Sequence, residues 1–342
     1  MIDVWRRSFA VAGLAALALP TEARHALRAT HIESRPRSAR VPALNFSPYL
    51  RGQRPSAGIE IADEQIVRRL APLIGYTQAI RTYGASSGLK RIAPLAQGMG
   101  FDVWAGAWIS SDLAGNEREL ANLVAIGTDG HASVLVVGSE VLLRRDLSEA
   151  ALLGYLARVR RAVPAGVAVT TAETYAVLLA QPRVLEASDV VFANAHPFWE
   201  GHAVTGATHT VESAWRRLRA AAKGKRVVIS EVGWPSAGPA RGAAVPSEAN
   251  AARFFCEFST WARVAAVEYA WFSAFDEAWK AGPGGEGAIG ARWGLWREDG
   301  RTLKPGIEAV FDRRPSCDGI RSAPPLKPAR DSIGSPQEAR PR

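Results

Sequence analysis

Eight short apolar runs, separated by longer amphipathic stretches, repeat between residues 43 and 312 of the chain. Most of the runs are rich in Val, Ile or aromatic residues and are unbroken rather than alternating, which is typical of strands buried on both faces. Eight strand–helix repeats of this kind close into a parallel barrel. The sequence therefore predicts one α/β domain, a single (β/α)8 TIM barrel over residues 43–312. The runs occupy residues 43–49, 79–84, 102–109, 133–140, 167–175, 189–199, 226–235 and 266–277.

The amphipathic stretches predict the helices of this barrel. Segment 147–163 is an example, because Ser148 can cap its first turn and Glu149 is favourable at a helix N-terminus. Similar patterns occupy residues 62–74 and 246–264. An open doubly wound sheet is the alternative, but no Gly-rich phosphate loop follows an early strand.

Residues 1–26 predict an export signal, in which Arg6 and Arg7 precede the apolar stretch 9–19. Eleven residues are too few to span a bilayer but fit the apolar region of a signal peptide. The arginine pair also resembles a twin-arginine signal, and a short N-terminal helix is the alternative. No other segment is long or apolar enough to cross a membrane. We therefore expect an exported protein, periplasmic or extracellular, with no integral membrane domain.

The ends of the chain carry nearly all of its formal net charge of +9. Residues 1–40 hold seven Arg and three acids, and residues 313–342 hold seven basic and three acidic side chains, which leaves 28 basic and 27 acidic residues in 41–312. A nearly neutral body argues against a nucleic-acid partner. Residues 27–42 are predicted to be a linker, and residues 313–342 a disordered, basic, Pro-rich tail.

The two cysteines show no metal-ligand spacing. Cys256 lies in the apolar run FFCEF and is predicted to be a buried thiol. Cys317 lies in the polar tail. A bridge between them in an oxidising compartment is the alternative.

Two carboxylates stand where the chemistry of a parallel barrel is expected, at the carboxyl ends of strands. Glu140 directly follows VLVVGS and Glu231 directly follows RVVIS. A charge beside such apolar strands is costly without a functional or hydrogen-bonding reason. The two residues are three strand–helix units apart, so they should face each other across the mouth of the barrel. Facing carboxylates can cleave a glycosidic bond, by a retaining or an inverting route.

Several segments resemble glycoside hydrolase family 17, the β-1,3-glucanases. The run SEVGWP (230–235) resembles the nucleophile signature of that family, and VGSE (137–140) resembles its acid/base segment. Residues 275–280 and 292–306 resemble its eighth strand and closing segment. Further segments resemble the bacterial branch of the family, namely residues 44–55, 80–84 and 106–120.

This resemblance implies a retaining enzyme that acts on β-1,3-glucan through a covalent glycosyl-enzyme. Glu231 would be the nucleophile and Glu140 the general acid/base, with no metal or organic cofactor. Either water or a second sugar could accept the glycosyl group, and the bacterial members favour transfer, including β-1,3/1,6-glucan branching or synthesis. A non-catalytic glucan-binding barrel and a hydrolase for another β-glycan are the alternatives. We expect a monomer whose partner is a β-glucan oligosaccharide or polysaccharide.

Sugar rings present apolar faces, so glycan clefts combine aromatic and polar side chains. Such residues lie at or just beyond the predicted strand ends and are the candidates for substrate binding. For each aromatic residue packing is the alternative, and for Glu173 and Glu277 a structural carboxylate is the alternative. Trp104 and Trp271 lie within strands and are predicted core residues. The candidates are Tyr49, Arg81, Tyr83, Trp108, Ser139, Glu173, Tyr175, Asn194, His196, Phe198, Trp199, Trp234, Phe275, Glu277 and Lys280.

One segment departs from the family pattern. Family members often carry a Tyr in N-x-Y-P-Y/F, placed to hydrogen-bond the nucleophile, whereas this chain reads NAHPFW with His196 at that position. Imidazole can also donate a hydrogen bond, but its charge titrates near neutrality. We predict that His196 contacts Glu231.

Overall fold

The computed structural model describes residues 40–282, 286–312 and Cys317. Eight parallel strands form a closed barrel in sequence order, and β1 completes the ring by pairing with β8. The predicted (β/α)8 TIM barrel is confirmed. The strands are β1 Val41–Asn45, β2 Thr77–Arg81, β3 Asp102–Ala107, β4 Val134–Ser139, β5 Ala168–Thr174, β6 Val191–Asn194, β7 Val227–Val232 and β8 Glu268–Trp271.

Helices connect successive strands around the barrel. The helix α4 begins as predicted, because the Ser148 hydroxyl accepts a hydrogen bond from the backbone N–H of Ala151 at 3.2 Å. Across the described ranges we find no helix with the length and apolarity needed to cross a membrane. The helices are α1 Asp63–Leu70, α2 Ile92–Gly98, α3 Leu113–Thr128, α4 Glu149–Ala162, α5 Tyr175–Ala180, α6 Pro182–Ala187, α7 Val204–Ala221, α8 Glu248–Val264, α9 Gly287–Gly290 and α10 Ile307–Phe311.

The predicted export signal 1–26 lies outside the described residues, as do most of the linker 27–42 and of the tail 313–342. The strand β1 begins at Val41, so the last two residues of the predicted linker lie in the barrel.

All eight predicted strands extended past the observed carboxyl ends, and the sixth and the eighth did so by the most residues. The run 189–199 contributes Val191–Asn194 to the sheet, and the run 266–277 contributes Glu268–Trp271. Beyond these points the chain leaves the ladder, but its apolar residues still pack into the main core. The sequence therefore stays apolar after the backbone has turned away from the strand.

The barrel interior is filled by large aromatic side chains among small ones. Trp104 and Phe192 meet there at 5.2 Å between ring centroids, surrounded by alanines of β1, β2, β5 and β8. Trp271 points outward and packs its ring against Phe255 of α8 at 4.8 Å. The predicted core positions of Trp104 and Trp271 are confirmed.

Cys256 is not the predicted free thiol, because it forms a disulfide with Cys317. The reason lies in the packing of α8 against α10, where the rings of Phe255 and Phe311 lie 5.4 Å apart. Because Phe255 neighbours Cys256 and Phe311 ends α10, this contact places the end of α10 close to Cys256.

A buried ion pair attaches the closing segment to the end of β8. Lys304 is only 3% exposed, and its Nζ donates to Asp276 Oδ1 at 2.6 Å and to Ser236 Oγ at 2.7 Å. Burial raises the pKa of Asp276 and lowers the pKa of Lys304. The charged pair therefore persists through mutual attraction against the cost of removing both groups from water.

The substitution Lys304→Ala should lower the free energy of unfolding by roughly 3–5 kcal/mol, because the buried Asp276 carboxylate then keeps only the exposed Arg292, 3.7 Å away, as a cation. Chemical denaturation followed by tryptophan fluorescence measures this. The exposed Lys90 provides the control, and Lys90→Ala should change stability by less than about 0.5 kcal/mol. Equal stability of the two variants would contradict the role given to the ion pair.

Candidate active site

Glu140 and Glu231 lie on the same rim of the barrel, at the carboxyl ends of β4 and β7. Strand pairing shifts register at both places, between Val136 and Ser139 on β4 and between Ile229 and Val232 on β7. Such irregularities re-aim side chains in sheets. In this barrel the two register shifts lie at Glu140 and Glu231.

The turn into Glu140 depends on a glycine. Gly138 has φ +80°, and a Cβ at this position would lie 2.4 Å from Val141 Cγ2. Glu140 itself has φ +57°, in the left-handed region that non-glycine residues rarely occupy. The backbone therefore accepts strain where the acidic side chain enters the site.

Arg81 is the centre of the polar network beneath the rim. It is fully buried at the end of β2, and its Nη1 donates to Glu231 Oε1 at 2.6 Å. The same guanidinium donates to Asn45 Oδ1 and to Ser139 Oγ, both at 3.0 Å. Ser139 Oγ in turn donates to Glu231 Oε1 at 3.2 Å. The nucleophile candidate is thus fixed by two donors on one oxygen.

His196 holds the other oxygen of Glu231. Its Nε2 lies 3.3 Å from Glu231 Oε2, which confirms the predicted contact. The imidazole is positioned by rings on two sides, Phe272 at 5.4 Å and Trp293 at 5.2 Å between centroids. Because a carboxylate is an acceptor, this contact requires the proton on Nε2.

The surroundings of the two carboxyl groups shift their pKa values in opposite directions. Burial alone would raise the pKa of Glu231, but the Arg81 cation and the His196 contact outweigh it and lower the pKa to about 2. Glu140 is half-buried, and its Oε1 accepts from the neutral amide of Asn194 at 3.0 Å. Burial and the negative charge of Glu231 raise the pKa of Glu140. One group is therefore kept ionised and the other favours its proton.

Further predicted residues gather around this pair. Tyr83 lies beside Arg81, whose Nη1 is 3.3 Å from the phenol oxygen. Burial, and after it the negative charge of Glu231, raises the pKa of Tyr83. Glu277 pairs with Lys280 at 2.7 Å and accepts from Trp279 Nε1 at 3.1 Å. Lys280 therefore neutralises Glu277.

Four more of the predicted residues are aromatic, and they differ in how much of the ring is exposed. Trp108 is 45% exposed, and the Arg144 guanidinium stacks on its ring at 4.5 Å. Trp199 is half-buried. The hydroxyl of Tyr175 donates to Glu200 at 3.1 Å. Tyr49 is buried edge-on against Trp279 at 6.2 Å between centroids. Trp108 has the most exposed ring of this group, whereas Trp199 is packed by Trp293 and lies under the Arg241 guanidinium.

Residues 43–294 match the BtgE/BtgC glycoside hydrolase domain. The chain belongs to this family. A glucan 1,3-beta-glucosidase from Candida albicans is 28% identical over 267 residues, covering 70% of this chain and 85% of the relative. A glucan 1,3-beta-glucosidase from Saccharomyces cerevisiae is 27% identical over 296 residues, covering 80% of this chain and 94% of the relative.

Among solved structures, the chain is similar to the glycoside hydrolase family 17 beta-1,3-glucanosyltransferase from Rhizomucor miehei. The TM-score is 0.69 at 28% identity, covering 80% of this chain and 98% of that chain. These matches support the resemblance to glycoside hydrolase family 17 that the sequence shows. They do not support its bacterial branch, because these relatives of the BtgE/BtgC domain are fungal.

Five of the predicted substrate-binding residues have buried side chains whose observed contacts are with other protein groups. Phe198 and Trp234 stack on each other at 5.6 Å between centroids, and Phe275 packs against Phe46. The Arg81 guanidinium donates a hydrogen bond to the Glu231 carboxylate. Glu173 is fully buried, and burial raises its pKa to about 7 although backbone N–H groups favour its charged form. A position near a strand end does not reveal whether a side chain faces the mouth or the layer beneath the loops.

Two parts of the site were missed. Trp293 packs against His196 from the closing segment, within the run RWGLW that resembles the family. Glu119 on α3 accepts backbone N–H groups of Ala85 at 2.7 Å and of Ser86 and Trp108 at 2.9 Å, which joins the loops after β2 and β3. The partners of Glu119 are backbone atoms, so no side-chain pattern in the sequence marks it.

The substitution His196→Ala should lower kcat about tenfold and move the acidic limb of the pH–rate profile to higher pH. The direction follows because Glu231 must be ionised to act, and losing a hydrogen-bond donor raises its depressed pKa. Initial rates on a laminari-oligosaccharide across pH give both quantities. His209→Ala, at an exposed histidine, is the control that should leave the profile unchanged. An unaltered profile in His196→Ala would exclude this role for the contact.

Proposed function

We propose that this protein is a retaining enzyme that acts on β-1,3-glucan, with Glu231 as nucleophile and Glu140 as general acid/base. The observation that carries the proposal is that the two carboxyl groups lie in different electrostatic environments. Glu231 lies 2.6 Å from a buried Arg81 cation, whereas Glu140 accepts a hydrogen bond from a neutral amide. Cleavage of a glycosidic bond needs one ionised and one protonated carboxyl group, which these two environments favour.

In the first step, a Glu231 oxygen forms a bond to the anomeric carbon as the glycosidic C–O bond breaks. The Glu140 proton moves to the departing oxygen, so the aglycone leaves as a neutral alcohol. In the second step, Glu140 removes the proton of an incoming hydroxyl, which attacks the anomeric carbon and releases Glu231. Arg81, Ser139 and His196 hold Glu231 before and after the covalent stage.

The substrate proposal rests on the family and on its relatives. An active-site mutant of the Rhizomucor miehei beta-1,3-glucanosyltransferase was solved in complex with laminaritriose, and this chain is 28% identical to it. The rim of the present barrel offers aromatic surface suited to sugar rings at Trp108. Tyr83 and the Glu277–Lys280 pair add polar groups around the same opening.

We propose that a second glucan chain, rather than water, is the main acceptor. The support is the likeness to a glucanosyltransferase, which this chain covers over 98% of its length. A hydrolase is the second candidate, because the curated relatives are glucan 1,3-beta-glucosidases. Linkage analysis of any elongated product would separate simple elongation from β-1,3/1,6 branching.

We further propose that the protein is exported, to the periplasm or the extracellular space, and acts as a monomer. Disulfides form in oxidising compartments, and the Cys256–Cys317 bridge fits such a place. Both carboxylates and the residues that hold them come from one chain. A monomer can therefore carry the complete site.

Mass spectrometry of the products formed from one purified β-1,3-gluco-oligosaccharide of defined length tests the proposal. We expect products longer than the starting sugar, because the glycosyl-enzyme passes its glycosyl group to a second sugar molecule. The substitution Glu231→Gln should abolish turnover while binding of the oligosaccharide, followed by calorimetry, persists.

Only shorter products would make the protein a hydrolase. Equal turnover by Glu231→Gln would contradict the nucleophile, and binding without turnover by the wild-type protein would favour a non-catalytic glucan-binding barrel. No interaction at all would direct the search to another β-glycan.

A further inference from the structure

The segment that follows Glu140 is a tight turn that leads toward α4. The backbone N–H of Arg144 donates to the Glu140 carbonyl at 2.9 Å, and that of Asp146 donates to the Val141 carbonyl at 3.0 Å. Glu140 stands at the start of this turn with φ +57°. A non-glycine residue keeps such a conformation only when its surroundings fix it. The direction of the Glu140 side chain therefore depends on whatever holds the turn.

Glu173, near the end of β5, holds the turn from below. Its Oε1 accepts the backbone N–H of Leu142 at 2.7 Å, and its Oε2 accepts that of Leu143 at 3.4 Å. The carboxyl group is fully buried. It acts as the N-cap of a helix does, by satisfying N–H groups that have no carbonyl partner, but it does so from a neighbouring strand.

Arg144 holds the same turn from its outer side. Its Nη2 donates to the Ile109 carbonyl at 2.9 Å, its Nη1 donates to the Ser139 carbonyl, and its ring contact is with Trp108. Within the described ranges no Lys, Arg or His lies within 4.0 Å of the Glu173 carboxylate. Glu173 is therefore not one half of a structural ion pair, and its hydrogen bonds serve the backbone.

We propose that Glu173 is a positioning residue for the general acid/base: by holding the N–H groups of Leu142 and Leu143, it keeps the Glu140 carboxyl directed at the glycosidic oxygen. The inference rests on the proposed function, because it needs Glu140 to be the proton donor. The hydrogen bonds of the Glu173 carboxylate go to these two backbone N–H groups and not to Glu231.

The two carboxylates of the site are held by separate devices, which gives the proposal a specific consequence. Glu231 is fixed by Arg81, Ser139 and His196, and Glu173 has no bond to any of them. Loss of the Glu173 carboxylate should therefore impair proton transfer by Glu140 and leave nucleophilic attack intact. A general scaffold role would damage both steps together.

The test compares two substrates that differ in their need for acid catalysis. A laminari-oligosaccharide requires a proton on its leaving oxygen, whereas 2,4-dinitrophenyl β-laminaribioside carries a leaving group that departs without one. For Glu173→Ala we expect kcat/KM on the oligosaccharide to fall about 100-fold, and kcat/KM on the dinitrophenyl glycoside to stay within about threefold of wild type. Azide, which attacks the glycosyl-enzyme without a base, should raise kcat of the variant on the dinitrophenyl glycoside.

Glu173→Gln provides a second, isosteric variant. Its amide keeps one acceptor oxygen, so the fall on the oligosaccharide should be smaller, about tenfold. The exposed Glu64 supplies the control, and Glu64→Gln should match wild type on both substrates. Near-normal rates on the dinitrophenyl glycoside also show that the variants are folded.

An equal fall on both substrates, or no fall on either, would overturn the positioning role while the wild-type protein stays active. Absence of turnover of either substrate by the wild-type protein would overturn the proposed function and, with it, this inference.

Discussion

The ion pair between Arg81 and Glu231 is the interaction on which the site depends. Removing a guanidinium and a carboxylate from water costs several kcal/mol for each ion, which is recovered only when geometry and hydrogen bonding are good. The geometry is good here, because Arg81 is enclosed at the end of β2 and both terminal nitrogens of its guanidinium donate, to Glu231, Asn45 and Ser139. The barrel thus stabilises a negative charge where a nucleophile needs it.

Two other carboxylates, those of Glu119 and Glu173, hold the loops around this pair. Glu119 accepts three backbone N–H groups from the loops after β2 and β3, and Glu173 accepts two from the turn after β4. These groups satisfy donors that irregular backbone leaves unpaired. The rim can therefore depart from regular strand pairing at Glu140 and Glu231 and still keep one arrangement.

The sequence predicted the barrel and the place of Glu140 and Glu231 on one rim, because both follow from local pattern: unbroken apolar runs, and a charge placed directly after two of them. It also predicted the contact between His196 and Glu231. It could not separate Trp108, which is exposed, from Trp234, which is buried, because both follow a strand end and only tertiary packing tells them apart. The pairing of Cys256 with Cys317 likewise depended on the packing of α8 against α10, which no local pattern in the sequence shows.

Covalent trapping tests the central claim, that Arg81 keeps Glu231 ionised as the nucleophile, most directly. A 2-deoxy-2-fluoro-β-laminaribiosyl fluoride would form the glycosyl-enzyme and release it slowly, and peptide mass spectrometry would locate the sugar. We predict one glycosyl group on the peptide that contains Glu231, formed far more slowly in Arg81→Met, because the carboxylate then loses its cation. A label on any other residue, or equal labelling rates in the two proteins, would contradict the account.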